Sequence, residues 1–145
     1  MHLLSPYILA AVFSWLVAQG LKYIFATVKG KKLGSMRQLY LSGGMPSAHS
    51  ASVVALLVVI GFKDGTDSAI FGLALLFAAV VMYDAIMVRR SSGEQGTALR
   101  WLFHELKLTP EAPFRTAKGH TPGEVLGGIV VGVLVGLVVY FATLS

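Results

Sequence analysis

The stretch Val125–Leu144, VLGGIVVGVLVGLVVYFATL, runs for twenty residues without a single charge. A helix crossing a bilayer needs about 17–25 predominantly apolar residues, so this segment reads as a transmembrane helix. Three further apolar runs precede it, from about Tyr7 to Val28, Ala48 to Phe62 and Ser68 to Val88. The second is short for a span and opens on polar residues. It reaches spanning length only if those residues form its first turn, or if it sits in a thinned or water-filled region. The composition agrees. The 145 residues are 55% hydrophobic and only 13% charged, with a mean hydropathy of +0.72. A soluble domain carries about 25% charged residues, so lipid is the expected solvent. The expectation is one all-α domain over residues 1–145, a membrane-embedded bundle of about four transmembrane helices.

The connections set the orientation. The loop Lys29–Met45 carries Lys29, Lys31, Lys32 and Arg37. The segment Arg89–Gly119 carries Arg89, Arg90, Arg100, Lys107, Arg115 and Lys118. Ten of the twelve basic residues thus fall in two connections, which the positive-inside rule places in the cytoplasm with both termini outside. The first helix lacks a charged leader and is too long for a signal core, so it reads as a retained anchor. Within the second connection, Ala98, Leu99, Leu102, Phe103 and Leu106 form the apolar stripe of an amphipathic helix over Gly96–Leu108, expected to lie on the membrane surface. The net charge of +5 then points to anionic lipid headgroups and away from nucleic acid. No cysteine is present, which removes disulfides and thiolate chemistry. Gly128, Gly132 and Gly136 share one face of the last helix. Small residues at that spacing let helices approach closely, and a second copy of the chain could pack there.

Polar residues gather on three motifs. Ser42-Gly43-Gly44-Met45-Pro46-Ser47-Ala48-His49-Ser50 precedes the second helix. Free N–H groups at a helix start, beside hydroxyls and a His, make a phosphate-type anion site. A plain Gly-Pro turn with a Ser cap accounts for the same residues. Gly119-His120-Thr121-Pro122-Gly123-Glu124 opens the last helix. Thr121 and Glu124 fit a capping box. His120 and Glu124, four apart, also fit a carboxylate-oriented imidazole with one basic nitrogen. Tyr83-Asp84-Ala85-Ile86-Met87-Val88-Arg89-Arg90 ends the third span. Asp84 inside an apolar run needs a cationic partner. Arg89 and Arg90 serve either as interfacial anchors or as a guanidinium fork for phosphate. Lys22 either snorkels or joins them, and Arg115 is a surface charge or a phosphate ligand. Metal-ligand spacing, Walker loops and dinucleotide fingerprints do not occur.

These motifs resemble the PAP2 superfamily of phosphatidic acid phosphatases and vanadium haloperoxidases, and more closely its divergent PAP2 branch (DUF212). That branch carries Gly-Gly-Met-Pro-Ser-x-His-Ser, Asp-x-x-x-Val-Arg-Arg and Gly-His-x-Pro-x-Glu-Val, here Gly43–Ser50, Asp84–Arg90 and Gly119–Val125. The resemblance implies His120 as nucleophile, His49 as general acid and Glu124 as the carboxylate orienting His120. It implies that Ser47, Arg37 and Arg115 hold phosphate, with Lys22, Arg89 and Arg90 as further cations. Asp84 keeps its pairing role, and no metal or cofactor is implied. Ala48 stands where the superfamily has Gly, and Glu124 where it has Asp. Phe114 precedes Arg115, and four residues, not five, separate Arg115 from His120. Arg37 is followed by Gln38, with Gly30 where a Lys is usual. The phosphate cage is therefore expected to differ in construction. The implied activity is a metal-independent lipid-phosphate phosphatase of phosphatidic acid or phosphatidylglycerophosphate type, working through a phosphohistidine at the cytoplasmic face. A polyprenyl pyrophosphate phosphatase, a non-catalytic anionic-lipid or phosphate binder, and a vanadate-dependent oxidase are the rival readings.

Overall fold

The computed structural model describes residues 5–28, 44–108 and 119–144. They form α1 (Pro6–Val28), α2 (Ala48–Lys63), α3 (Ala69–Tyr83), a π-helical turn (Asp84–Val88), α4 (Arg89–Glu105) and α5 (Pro122–Ala142). The segments Pro6–Val28, Ala69–Glu105 and Pro122–Ala142 are long and apolar enough to cross a membrane, and α2 is a shorter apolar helix. Its sixteen residues rise roughly 24 Å at about 1.5 Å each, less than the ~30 Å of a hydrocarbon core.

This short helix is the centre of the bundle. It packs against α1, α3 and α5, and α1 and α5 also meet. Its buried residues are mostly small: Ala48, Ser50, Ala51 and Ala55, with Val54, Val59 and Ile60. Without a hydrophobic drive between helices in lipid, close backbone packing and short hydroxyl bonds hold such contacts. Ser52 Oγ accordingly donates to the Ala11 carbonyl across the α1–α2 contact at 3.1 Å. At the far end of the bundle, Tyr7 Oη donates to Asp64 Oδ2 at 2.8 Å and Lys63 Nζ donates to the Thr143 carbonyl at 3.2 Å. The outer faces carry large bare apolar side chains, including Leu73, Leu76, Phe77, Leu134 and Val138. A surface of that kind is stable against acyl chains, with all helix-interior N–H and C=O groups paired within the helix.

Two expectations change. The Gly128/Gly132/Gly136 face is covered by α2 of the same chain. A Cβ added at Gly128 would lie 2.5 Å from the Ser47 carbonyl oxygen, and one at Gly132 would lie 2.6 Å from that of Ala51. The backbones are already in contact, so this face is not left for a second copy. The amphipathic segment, expected as a separate helix from Gly96, is instead continuous with α3. The helix runs from Ala69 to Glu105 through the π turn. Nothing between Val88 and Gly96 stops it: Gly93 costs only about 1 kcal/mol in a helix, and no proline intervenes. No residue of α4 is buried.

Candidate active site

The chain enters α2 through Gly44, whose φ of +95° is readily reached only without a Cβ. Ser47 then caps the helix. Its hydroxyl oxygen accepts the Ser50 N–H at 3.4 Å and the Ser50 hydroxyl at 2.9 Å. Its own N–H donates to the Glu124 carbonyl at 2.9 Å. Ser47 is wholly buried. His49, two residues on, lies on the exposed side of the first turn.

Thr121 caps α5, and the capping box is complete. Thr121 Oγ1 accepts the Glu124 N–H at 3.3 Å, and Glu124 Oε2 accepts the Thr121 N–H at 3.1 Å. The same carboxylate does two further things. Oε2 lies 3.0 Å from His120 Nδ1, and Oε1 accepts the Gly44 N–H at 3.2 Å. The cap and the imidazole-orienting carboxylate are thus one residue, so the two sequence readings hold together. His120 sits just before the helix and is 6% exposed. Its N–H donates to the Ala85 carbonyl at 2.9 Å. Beside an ionised carboxylate, which only accepts, a neutral imidazole carries its proton on Nδ1 and keeps the lone pair on Nε2. Gly119 makes this docking possible: a Cβ there would lie 2.5 Å from the Arg90 backbone nitrogen.

The π turn shapes the third wall. The Arg89 N–H bonds to the Asp84 carbonyl, five residues back. In a regular α-helix, residues five apart point about 140° away from each other. The wider turn brings them onto one side, and Arg89 Nε donates to Asp84 Oδ2 at 2.6 Å. The expected cationic partner of Asp84 is therefore Arg89. Single π turns of this kind are frequent at functional sites.

His49, Asp84, Arg89 and His120, with Val80, Val81 and Ala85, line one cavity of about 260 Å³. Four of the expected site residues meet there, and Glu124 stands behind His120. Three others are placed differently. Ser47 is committed to capping and lies outside the cavity lining. Arg90 points away, exposed and paired with Glu94 Oε1 at 3.2 Å. Lys22, on α1, does not line the cavity. Its methylenes run past Gly44, and its charge acts on both Glu124 and His49. Arg37 and Arg115 lie outside the described residues. Sequence reasoning passed over Val80, Val81 and Ala85. The first two stand one helical turn before Asp84, on its face, and that spacing was the available signal. Among the described residues, no three His, Asp or Glu side chains converge as a metal site would require.

An all-helical bundle of apolar helices, with a carboxylate-held His at one helix start and a second His at another, defines a helical membrane protein whose histidines gather at one end. The chain belongs to the divergent PAP2 family, whose model matches residues 3–135. It is similar to an uncharacterised membrane protein, YuiD, of Bacillus subtilis (strain 168). The two are 33% identical over 156 aligned positions, which cover 97% of this chain and 98% of that one. No solved structure matches the chain.

Proposed function

We propose that the protein is a membrane phosphatase acting on a lipid phosphate monoester or pyrophosphate, with its site at the cytoplasmic face. The observation that carries this is the His120–Glu124 pair. It fixes Nδ1 as the protonated nitrogen and leaves Nε2 for a cavity that also holds His49 and Arg89. Nε2 attacks phosphorus, forming the P–N bond as the bond to the leaving oxygen breaks. Arg89 balances charge building on the phosphoryl oxygens. Protonated His49 gives its proton to the departing oxygen. Water then attacks phosphorus, the P–N electron pair returns to Nε2, and neutral His49 takes the water proton. Inorganic phosphate leaves, and both histidines are restored. Every step is carried by side chains of the protein.

The cytoplasmic assignment rests on charge. Both His motifs follow the segments that hold ten of the twelve basic residues, which the positive-inside rule keeps in the cytoplasm. That side favours phosphatidic acid or phosphatidylglycerophosphate over a polyprenyl pyrophosphate presented outside. A second reading, a non-catalytic binder of anionic lipid, draws on one observation. Among the described residues near the cavity, the charges of Lys22 and Arg89 are matched by Glu124 and Asp84. The deciding experiment is phosphate release from a panel of lipid phosphates by detergent-purified protein, beside His120→Ala. Release by the parent and none by the variant is the expected result. None by either would favour the binder, and equal release by both would show that His120 is not the nucleophile.

A further inference from the structure

Asp84 is out of place in a phosphate pocket. Its carboxylate lines the same cavity as His49, Arg89 and His120, where a negative charge opposes an entering oxyanion. Simple neutralisation of a membrane charge does not require this arrangement, because the long side chain of the half-exposed Arg89 could reach the interface by itself. The contact has a specific form instead. Asp84 Oδ2 meets Nε of Arg89 at 2.6 Å. Among the described residues, Nε is the only Arg89 nitrogen with a protein partner. Guanidinium carries five N–H bonds in a rigid plane. With Nε–H anchored, the four N–H bonds of Nη1 and Nη2 have no partner among the described residues, and rotation about the terminal side-chain bonds is restricted. Two parallel N–H donors are the geometry that grips a phosphoryl group through two oxygens. The anchoring needs the π turn, because regular helical winding would turn residue 89 away from residue 84.

We infer that Asp84 is the positioning residue of Arg89: holding Nε across the π turn, it presents the terminal amino groups of the guanidinium to a tetrahedral or trigonal-bipyramidal oxyanion in the cavity. This rests on the phosphatase reading for the identity of the site but not for its test. Its removal has two opposing effects. Loss of the charge relieves repulsion and tightens anion binding, whereas loss of the anchor frees the guanidinium and weakens it. Two charge-assisted N–H···O bonds to the oxyanion depend on the anchor, whereas the repulsion comes from one charge already paired with Arg89, so the anchor wins.

The probe is orthovanadate, titrated calorimetrically into detergent-purified full-length protein carrying Asp84→Ala, Asp84→Asn, Arg89→Ala or the Ala double substitution. Asn keeps an oxygen for Nε–H while removing the charge. Asp84→Ala is expected to weaken vanadate binding roughly 10- to 100-fold, and Asp84→Asn to restore most of it. The double variant should bind no more weakly than Arg89→Ala alone, since without the guanidinium there is nothing left to anchor and only the repulsion by Asp84 is relieved. A melting curve for each variant separates these effects from unfolding, and the half-exposed pair makes collapse of the fold unexpected. Additive losses, parent-like binding by Asp84→Ala, equal weakening by Ala and Asn, or no vanadate binding by the parent protein would each overturn the inference. Vanadate binding with the expected pattern, but without phosphate release from any lipid, would sink the phosphatase reading and leave this one standing.

Discussion

The Glu124 carboxylate receives hydrogen bonds from Gly44 and Thr121 N–H groups and from His120 Nδ1. One side chain therefore joins the first motif, the last helix cap and the imidazole. Glu124→Gln keeps the volume but replaces one acceptor oxygen with a donor. It cannot satisfy all three, and it no longer enforces the Nδ1–H form. Under the phosphatase reading, phosphate release should fall by two or more orders of magnitude, roughly the loss seen when a tautomer-fixing carboxylate is neutralised. Steady-state kinetics checks this. Ser47→Ala should behave in the opposite way. It loses a buried cap worth about 1 kcal/mol, lowering the thermal midpoint in detergent, while KM stays unchanged because the hydroxyl faces Ser50 and not the cavity. The four-residue spacing suggested the His120–Glu124 pairing, but its geometry depends on His120 standing just before the helix, which spacing does not report. Ser47 was legible as a cap and as a phosphate ligand alike, and only its burial separates the two. Arg89 and Arg90 are adjacent and chemically identical in the sequence. The direction each one faces depends on the helical winding before it, which no local pattern reports.

At the scale of elements, the four apolar runs and their approximate limits could be read directly, because in lipid a backbone must close its own hydrogen bonds and the hydrophobic length is visible. What the runs cannot convey is who packs on whom. The glycine face of α5 is a surface for close approach in any arrangement, and here the partner is α2. Gly132→Ala places a Cβ 2.6 Å from the Ala51 carbonyl oxygen. Overpacking of that kind costs about 1–3 kcal/mol, so the variant should melt at a lower temperature or lose the bundle in detergent. Gly72→Ala, on the outer α3 with nothing within 4 Å of the added Cβ, should be neutral or slightly stabilising. The pair of melting curves tests the α2–α5 contact directly. The π turn was not foreseeable. It needs one residue more per turn than an α-helix, and Ala85-Ile86-Met87-Val88 carries no breaker to announce it.

Across the whole molecule, alternation of the spans puts Gly123 and the site at one end and the α2–α3 loop at the other. The chain has no native cysteine, so single-cysteine labelling has no background. Gly123→Cys should react with a membrane-impermeant maleimide only from the cytoplasmic side, and Thr66→Cys only from the opposite side. Reaction of both from one side would break the fold's topology, and an inverted pattern would break the charge-based orientation alone. The orientation and the end of the bundle that holds both His motifs were read from loop charge, whereas the shared cavity emerges only when the helix starts meet. The shortness of α2 reaches further still, into how the protein is made. A sixteen-residue helix that opens on Ser47 and His49 is a poor passenger for an insertion machinery that admits helices by their own hydrophobicity. Its buried face is matched by α5, which the ribosome delivers some seventy residues later. The pivot of the finished bundle is thus the segment with the weakest claim to enter the bilayer unaided. His49 stands on α2 and His120 just before α5, so the two histidines meet only once the last helix has been made.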